Sequence, residues 1–87
     1  MASRTDDLSD KALSIFAFAA YHRLLSGERV LSVIRKDGKG HEADPAGIAE
    51  LEQKGLATST PEHISFTEDG ADFAEAVVES IRREAGR

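Results

Sequence analysis

The sequence predicts a mostly α domain with one small β-hairpin, and three observations lead there. Apolar residues recur at helical spacing near both ends of the chain, an Asp-Pro pair and a later Gly bracket a short helix in the middle, and two β-prone runs flank a Pro-Glu turn after it. Eighty-seven residues enclose one core and leave no room for a separate effector-binding half. At 40% hydrophobic and 31% charged, the chain has the composition of a folded globular protein. Cysteine is absent, so packing alone must hold the fold, with neither disulfides nor a thiolate metal site. We expect one domain over residues 9–83 between flexible ends at 1–8 and 84–87.

The first helix is expected from about Asp10 to Leu25, with Ser9 or Asp10 as N-cap and Ser26-Gly27 past its end. At 100° per residue, Leu13, Phe16, Ala17, Ala20 and Leu24 form one face, while Leu8, Ile15, Phe18 and Leu25 lie roughly opposite. Such a helix needs cover on both sides. Glu28 to Lys36 fits two readings, since Val30, Leu31, Val33 and Ile34 suit either helical spacing or a buried strand; helix is the preferred one. Asp37 to Ala43, with two glycines, reads as a loop. Asp44 as N-cap with Pro45 at the first helical position starts the next helix, and Gly55 stops it. Ile48 and Leu51 should face inward, leaving Ala46, Ala49, Glu50 and Gln53 outward. Leu56–Thr60 and His63–Phe66 make the hairpin, with Pro61 at the second position of its turn. Thr67 caps a last helix with Glu68 and Asp69 in its first turn, where the helix dipole favours acids. Its apolar arc is Phe73, Ala74, Val77, Val78 and Ile81, and its tail should fray from Arg83.

The order helix, helix, loop, helix, hairpin, helix resembles the winged helix-turn-helix superfamily. So does the run Ile48-Ala49-Glu50-Leu51-Glu52-Gln53-Lys54-Gly55-Leu56 followed by Ile64-Ser65-Phe66-Thr67-Glu68-Asp69-Gly70, which looks like a recognition helix, a wing and the start of the last helix. The resemblance spans about residues 10–82. It implies a three-helix core, a two-stranded wing and a C-terminal helix. In function it implies a small transcriptional regulator that binds double-stranded DNA; a homodimer would match palindromic half-sites, and the chain is too short to add an effector pocket. Gly55 would let the chain leave its helix left-handed, and Gly70 would permit the last helix to pack closely on the hairpin.

Charge qualifies that reading. The net charge is −5, and it is unevenly spread: residues 22–41 carry five Lys/Arg against two Asp/Glu, whereas residues 42–87 carry four against eleven. Phosphate contacts are expected from Arg29, Arg35, Lys36, Lys39 and His41, on the preceding helix and its loop, with backbone amides at the start of the Pro45 helix beside them. The groove-facing surface is expected to be Ala46, Ala49, Glu50, Gln53 and Lys54, although Glu50 and the wing-tip Glu62 would repel a DNA backbone. The alternative is a winged-helix module that binds protein and not DNA, associating through Ile15, Phe18 and Leu25 on the first helix.

No other chemistry is suggested. His22, His41 and His63 are too widely spaced for a metal motif, and Pro45 stands where a zinc-protease motif starting at His41-Glu42 needs its second His. Gly38-Lys39-Gly40 lacks the frame of a phosphate-binding loop, and no serine sits in a nucleophile elbow. The acids of the last helix, Glu68, Asp69, Asp72, Glu75 and Glu79, read as a solvated face. Neither catalysis nor a cofactor or metal is expected. With no apolar leader or spanning segment in sight, the expectation is a cytoplasmic protein that meets no membrane.

Overall fold

The computed structural model describes residues 7–36, 38–40 and 42–86. Within them the chain forms three helices and a three-stranded antiparallel sheet: α1 (Asp10–Ser26), β1 (Ser32–Ile34), α2 (Pro45–Gln53), β2 (Ala57–Ser59), β3 (His63–Phe66) and α3 (Glu68–Glu84). The order across the sheet is β1-β3-β2. The domain is therefore mixed α/β. None of its described helices is long and apolar enough to cross a membrane.

Local signals set the helix ends. The Ser9 side chain accepts from the Ala12 amide, the Asp44 side chain from Ala46 and the Thr67 side chain from Gly70. Each thereby satisfies a donor with no partner inside its helix. At the end of α2 the Leu56 amide donates to the Leu51 carbonyl at 2.9 Å and the Gly55 amide to Glu52 at 3.2 Å. That crossed pair is a Schellman motif, and it requires the left-handed conformation that Gly55 adopts at φ 75°. α3 stays helical to Glu84, past the expected fraying point at Arg83. The flexible start expected at residues 1–8 falls mostly on residues 1–6, outside the described residues.

α1 packs against both other helices. Its buried residues are Ala12, Ile15, Phe16, Ala19 and Ala20, so the inward face lies between the two expected faces and is floored by alanines that allow close approach. The chain itself does not cover both sides: Leu13, Leu24 and Leu25 are exposed. Fully buried Phe16 stacks on Phe66 at 5.3 Å between ring centroids and meets Phe73 edge-on at 4.7 Å, joining α1, β3 and α3. Ile48, Leu51, Leu56 and Ile64 fill the rest of the core.

One element departs from expectation outright. Residues 32–34, expected to be helical, are a strand, with Ser32, Val33 and Ile34 opposite Ser65, Ile64 and His63 of β3. Of the four apolar residues in 28–36, Val30, Val33 and Ile34 are β-branched, which restricts them in a helix and suits them to a pleated surface. Only Val33 is buried, an alternation with a period of two. Hence the sheet has three strands where a two-stranded wing was expected. α2 is the only described helix between β1 and β2, so the described residues contain no helix pair of the helix-turn-helix kind at that point.

Candidate functional site

β1 being a strand decides where the expected phosphate-binding residues go, because an extended segment carries Arg29 and Arg35, on either side of β1, further apart than helical turns would. Arg29, ahead of β1, points its Nη2 at Asp72 Oδ1 on α3, 2.6 Å away. Arg35, just past β1, donates from Nη1 to the Thr60 carbonyl in the hairpin turn at 3.0 Å. Lys36 Nζ lies 4.0 Å from Glu42 Oε1, across the base of the loop where these two residues form an isolated bridge. Lys39 is exposed between Gly38 and Gly40. His41 lies outside the described residues. At the start of α2, Asp44 occupies the Ala46 amide at 2.8 Å, and Lys11 Nζ stands 3.7 Å from the same carboxylate. One of the amides expected to welcome an anion is thus already taken by a carboxylate of the chain itself.

The α2 surface divides in two. Ala46, Ala49 and Gln53 are exposed, as the helical spacing requires. Glu50 instead reaches back to the start of α1, where Ser9 Oγ donates to Oε1 at 2.6 Å and the Ser9 amide to Oε2 at 2.9 Å. Lys54 Nζ lies 3.6 Å from the same carboxylate and also donates to the Asp7 carbonyl at 3.3 Å. The Ser9 hydroxyl and then the Ser9 amide hold the Glu50 carboxyl below its usual value of 4.5; desolvation opposes them, and the Lys54 charge adds to them. Glu50 and Lys54, expected to face a DNA groove, tie α2 to the N-terminus of α1. No spacing rule could have found this, since Ser9 is 41 residues from Glu50.

The apolar residues sort differently. Ile15, expected at an interface, is 2% exposed and belongs to the core. Phe18 is half-buried, with its ring 4.5 Å from that of His22. Leu25 is 71% exposed. Leu31 at 60% and Ile34 at 40%, which a continuous buried strand would have covered, are also open to solvent. The clue was available in Ser32, a polar residue whose place on the outer face goes with that of Ile34 two positions on. His22, Ser26, Leu31, Ile34 and His63 help line a groove of about 520 Å³ beside β1. A second groove, about 400 Å³, runs along α3 between Phe73, Val77, Ile81 and Glu84.

Among the described residues no three His, Asp or Glu side chains gather as a metal site. No family model matches the chain, and no curated protein or solved structure matches it. What can be said of its class rests on its own geometry: a small α/β domain whose cations are largely turned toward its own acids and whose aliphatic side chains are partly turned outward.

Proposed function

We propose that this chain is a protein-interaction module with a winged-helix-like arrangement, and that duplex DNA is not its ligand. The arrangement is supported by the strand order β1-β3-β2 and by a helix leading directly into the hairpin. The observation that carries the functional reading is the exposure of large aliphatic side chains, Leu25 and Leu31 above all, in a chain this small. Fully burying a leucine is worth about 1.5–3 kcal/mol, so surfaces of this kind gain by being covered.

Electrostatics argues the same way. An exposed ion pair is worth only about 0.2–1 kcal/mol, so pairing alone would not keep an arginine from a phosphate. The acids do more, because a DNA backbone reaching Arg29, Lys36 or Lys54 would also meet Asp72, Glu42 or Glu50. The competing proposal is the DNA-binding regulator, with Arg35, Lys36 and Lys39 as its phosphate contacts. Three such contacts give a slope of about −2.7 in log K against log salt. Titration of the protein into labelled random-sequence duplex, followed by fluorescence anisotropy at low and moderate salt, decides between them. We expect a flat titration at both; saturable binding with a slope near that value would return the domain to DNA.

A further inference from the structure

We propose that the exposed edge of β1 is a self-association seam, on which a second copy of this chain adds its own β1 antiparallel to the first; the proposal rests on the interaction reading and names the partner. β1 is an edge strand in the order β1-β3-β2. The Phe66 amide donates to the Leu31 carbonyl and the Arg35 amide to the Glu62 carbonyl, both at 2.9 Å, so the ladder to β3 spans residues 31–35. In an antiparallel ladder the residues that bond to one neighbour alternate with those that face away. Leu31 and Val33 therefore turn their amides and carbonyls to β3, Arg35 turns its amide there while its carbonyl accepts from the Ala43 amide at 2.9 Å, and Ser32 and Ile34 turn their groups to the open edge. Among the described residues no strand pairs with β1 on that side, and the groove beside it is lined by Ser32, Val33 and Ile34 together with His22 and Ser26 of α1.

A second copy is the occupant because the edge is complementary to itself. A twofold axis through Val33 sets Ser32 opposite Ile34 of the second copy, and Ile34 opposite its Ser32. Each of these pairs exchanges two main-chain hydrogen bonds, while Val33 faces its own counterpart as the non-bonded pair between them. The side chains fit too, because exposed Leu31 and Ile34 belong to the segment that pairs. β1 is only three residues long, but none of Ser32, Val33 and Ile34 is a charge or a proline that would block its edge.

The opposed pair of Ser32 and Ile34 supplies the test, since both side chains lie exposed on the outer face of the sheet and can be changed without touching the core. Sedimentation equilibrium of the wild-type chain is expected to give a monomer–dimer equilibrium. Ser32→Lys with Ile34→Lys sets like charges directly opposite at both pairs and should weaken the dimer about tenfold or more. Ser32→Glu with Ile34→Lys sets opposite charges there and should keep it. An isotope-filtered NOE between the Val33 α-protons of labelled and unlabelled wild-type chains reports the axis without any substitution. A monomeric wild type, an equal response of the two variants or a missing NOE overturns the seam. If a dimer persists with equal variants, association runs through another face and the interaction reading stands; only salt-sensitive DNA binding removes that reading.

Discussion

Gly70→Ala should destabilise the domain by far more than a single methyl group suggests. A Cβ built on Gly70 would lie 1.9 Å from the Leu56 carbonyl oxygen and 3.3 Å from the Phe66 Cβ. The obstacle is backbone, so no side-chain rotation relieves it, and the start of α3 must back away by roughly 1.5 Å, since such contacts need about 3.5 Å. The same carbonyl accepts the Thr67 amide at 3.0 Å, and Thr67 Oγ1 donates to Gly55 at 2.9 Å, so the shift also loosens the joint between the hairpin and α3. Overpacking costs about 1–3 kcal/mol and a lost hydrogen bond about 1, while replacing Gly by Ala in a helix returns at most about 1. The net loss is about 2 kcal/mol. For a domain of this size that lowers Tm by about 8–16 °C, readable by circular dichroism. A variant melting at or above the wild-type temperature would refute the reasoning, because it would mean that α3 does not pack on the hairpin through this glycine.

The remaining predictions concern charge. Because the folded Glu50 carboxyl is depressed below its usual 4.5, its contribution is complete above that pH and is lost as pH falls through the lower, folded value. Glu50→Gln should therefore flatten the acid limb of the stability curve below about pH 4.5, and Ser9→Ala should move the Glu50 titration upward in a carbon-detected NMR experiment while costing about 1 kcal/mol as a lost helix cap. The pair Arg23–Glu75, at 2.9 Å with side chains 20% and 35% exposed, should matter more than Arg29–Asp72 at 47% and 64%. Thermal melts of Arg23→Ala and Arg29→Ala, compared at low and high salt, should show the larger loss for Arg23, with Arg29 costing less than about 1 kcal/mol.

What could be read in the sequence was whatever neighbouring residues decide among themselves. Ser9, Asp44 and Thr67 cap their helices through amides two or three residues away, and Gly55 ends α2 through carbonyls three and five residues back. The hairpin follows from Pro61 and the β-prone runs beside it, and the close approach at Gly70 was anticipated from its position after the wing. Residues 28–36 were different, since Val30, Leu31, Val33 and Ile34 satisfy both periods and only pairing with β3, some thirty residues later, selects the strand. The candidate site was read less well for the same reason. Hydrophobicity shows that Ile15, Phe18 and Leu25 want cover, not which of them finds it inside the domain. Ile15 is in the core, Phe18 half-buried and Leu25 open.

That one reassignment, strand for helix, carries most of the functional argument. As a helix, residues 28–36 would have presented Arg29, Arg35 and Lys36 beside α2, the arrangement a phosphate backbone needs. As a strand they part company, Arg29 going to Asp72 on α3, Arg35 to the hairpin turn and Lys36 to Glu42. The same change creates an edge that a helix would not have had, and leaves Leu31 and Ile34 on the surface. Three residues that weaken the case for a polyanion, Arg29, Arg35 and Lys36, and two that strengthen the case for a protein partner, Leu31 and Ile34, thus lie within one stretch of nine. The two proposals are accordingly coupled through β1, and the charge-reversal pair at Ser32 and Ile34 bears on both: if the strand pairs there with its copy, Arg29 and Lys36 flank a protein interface.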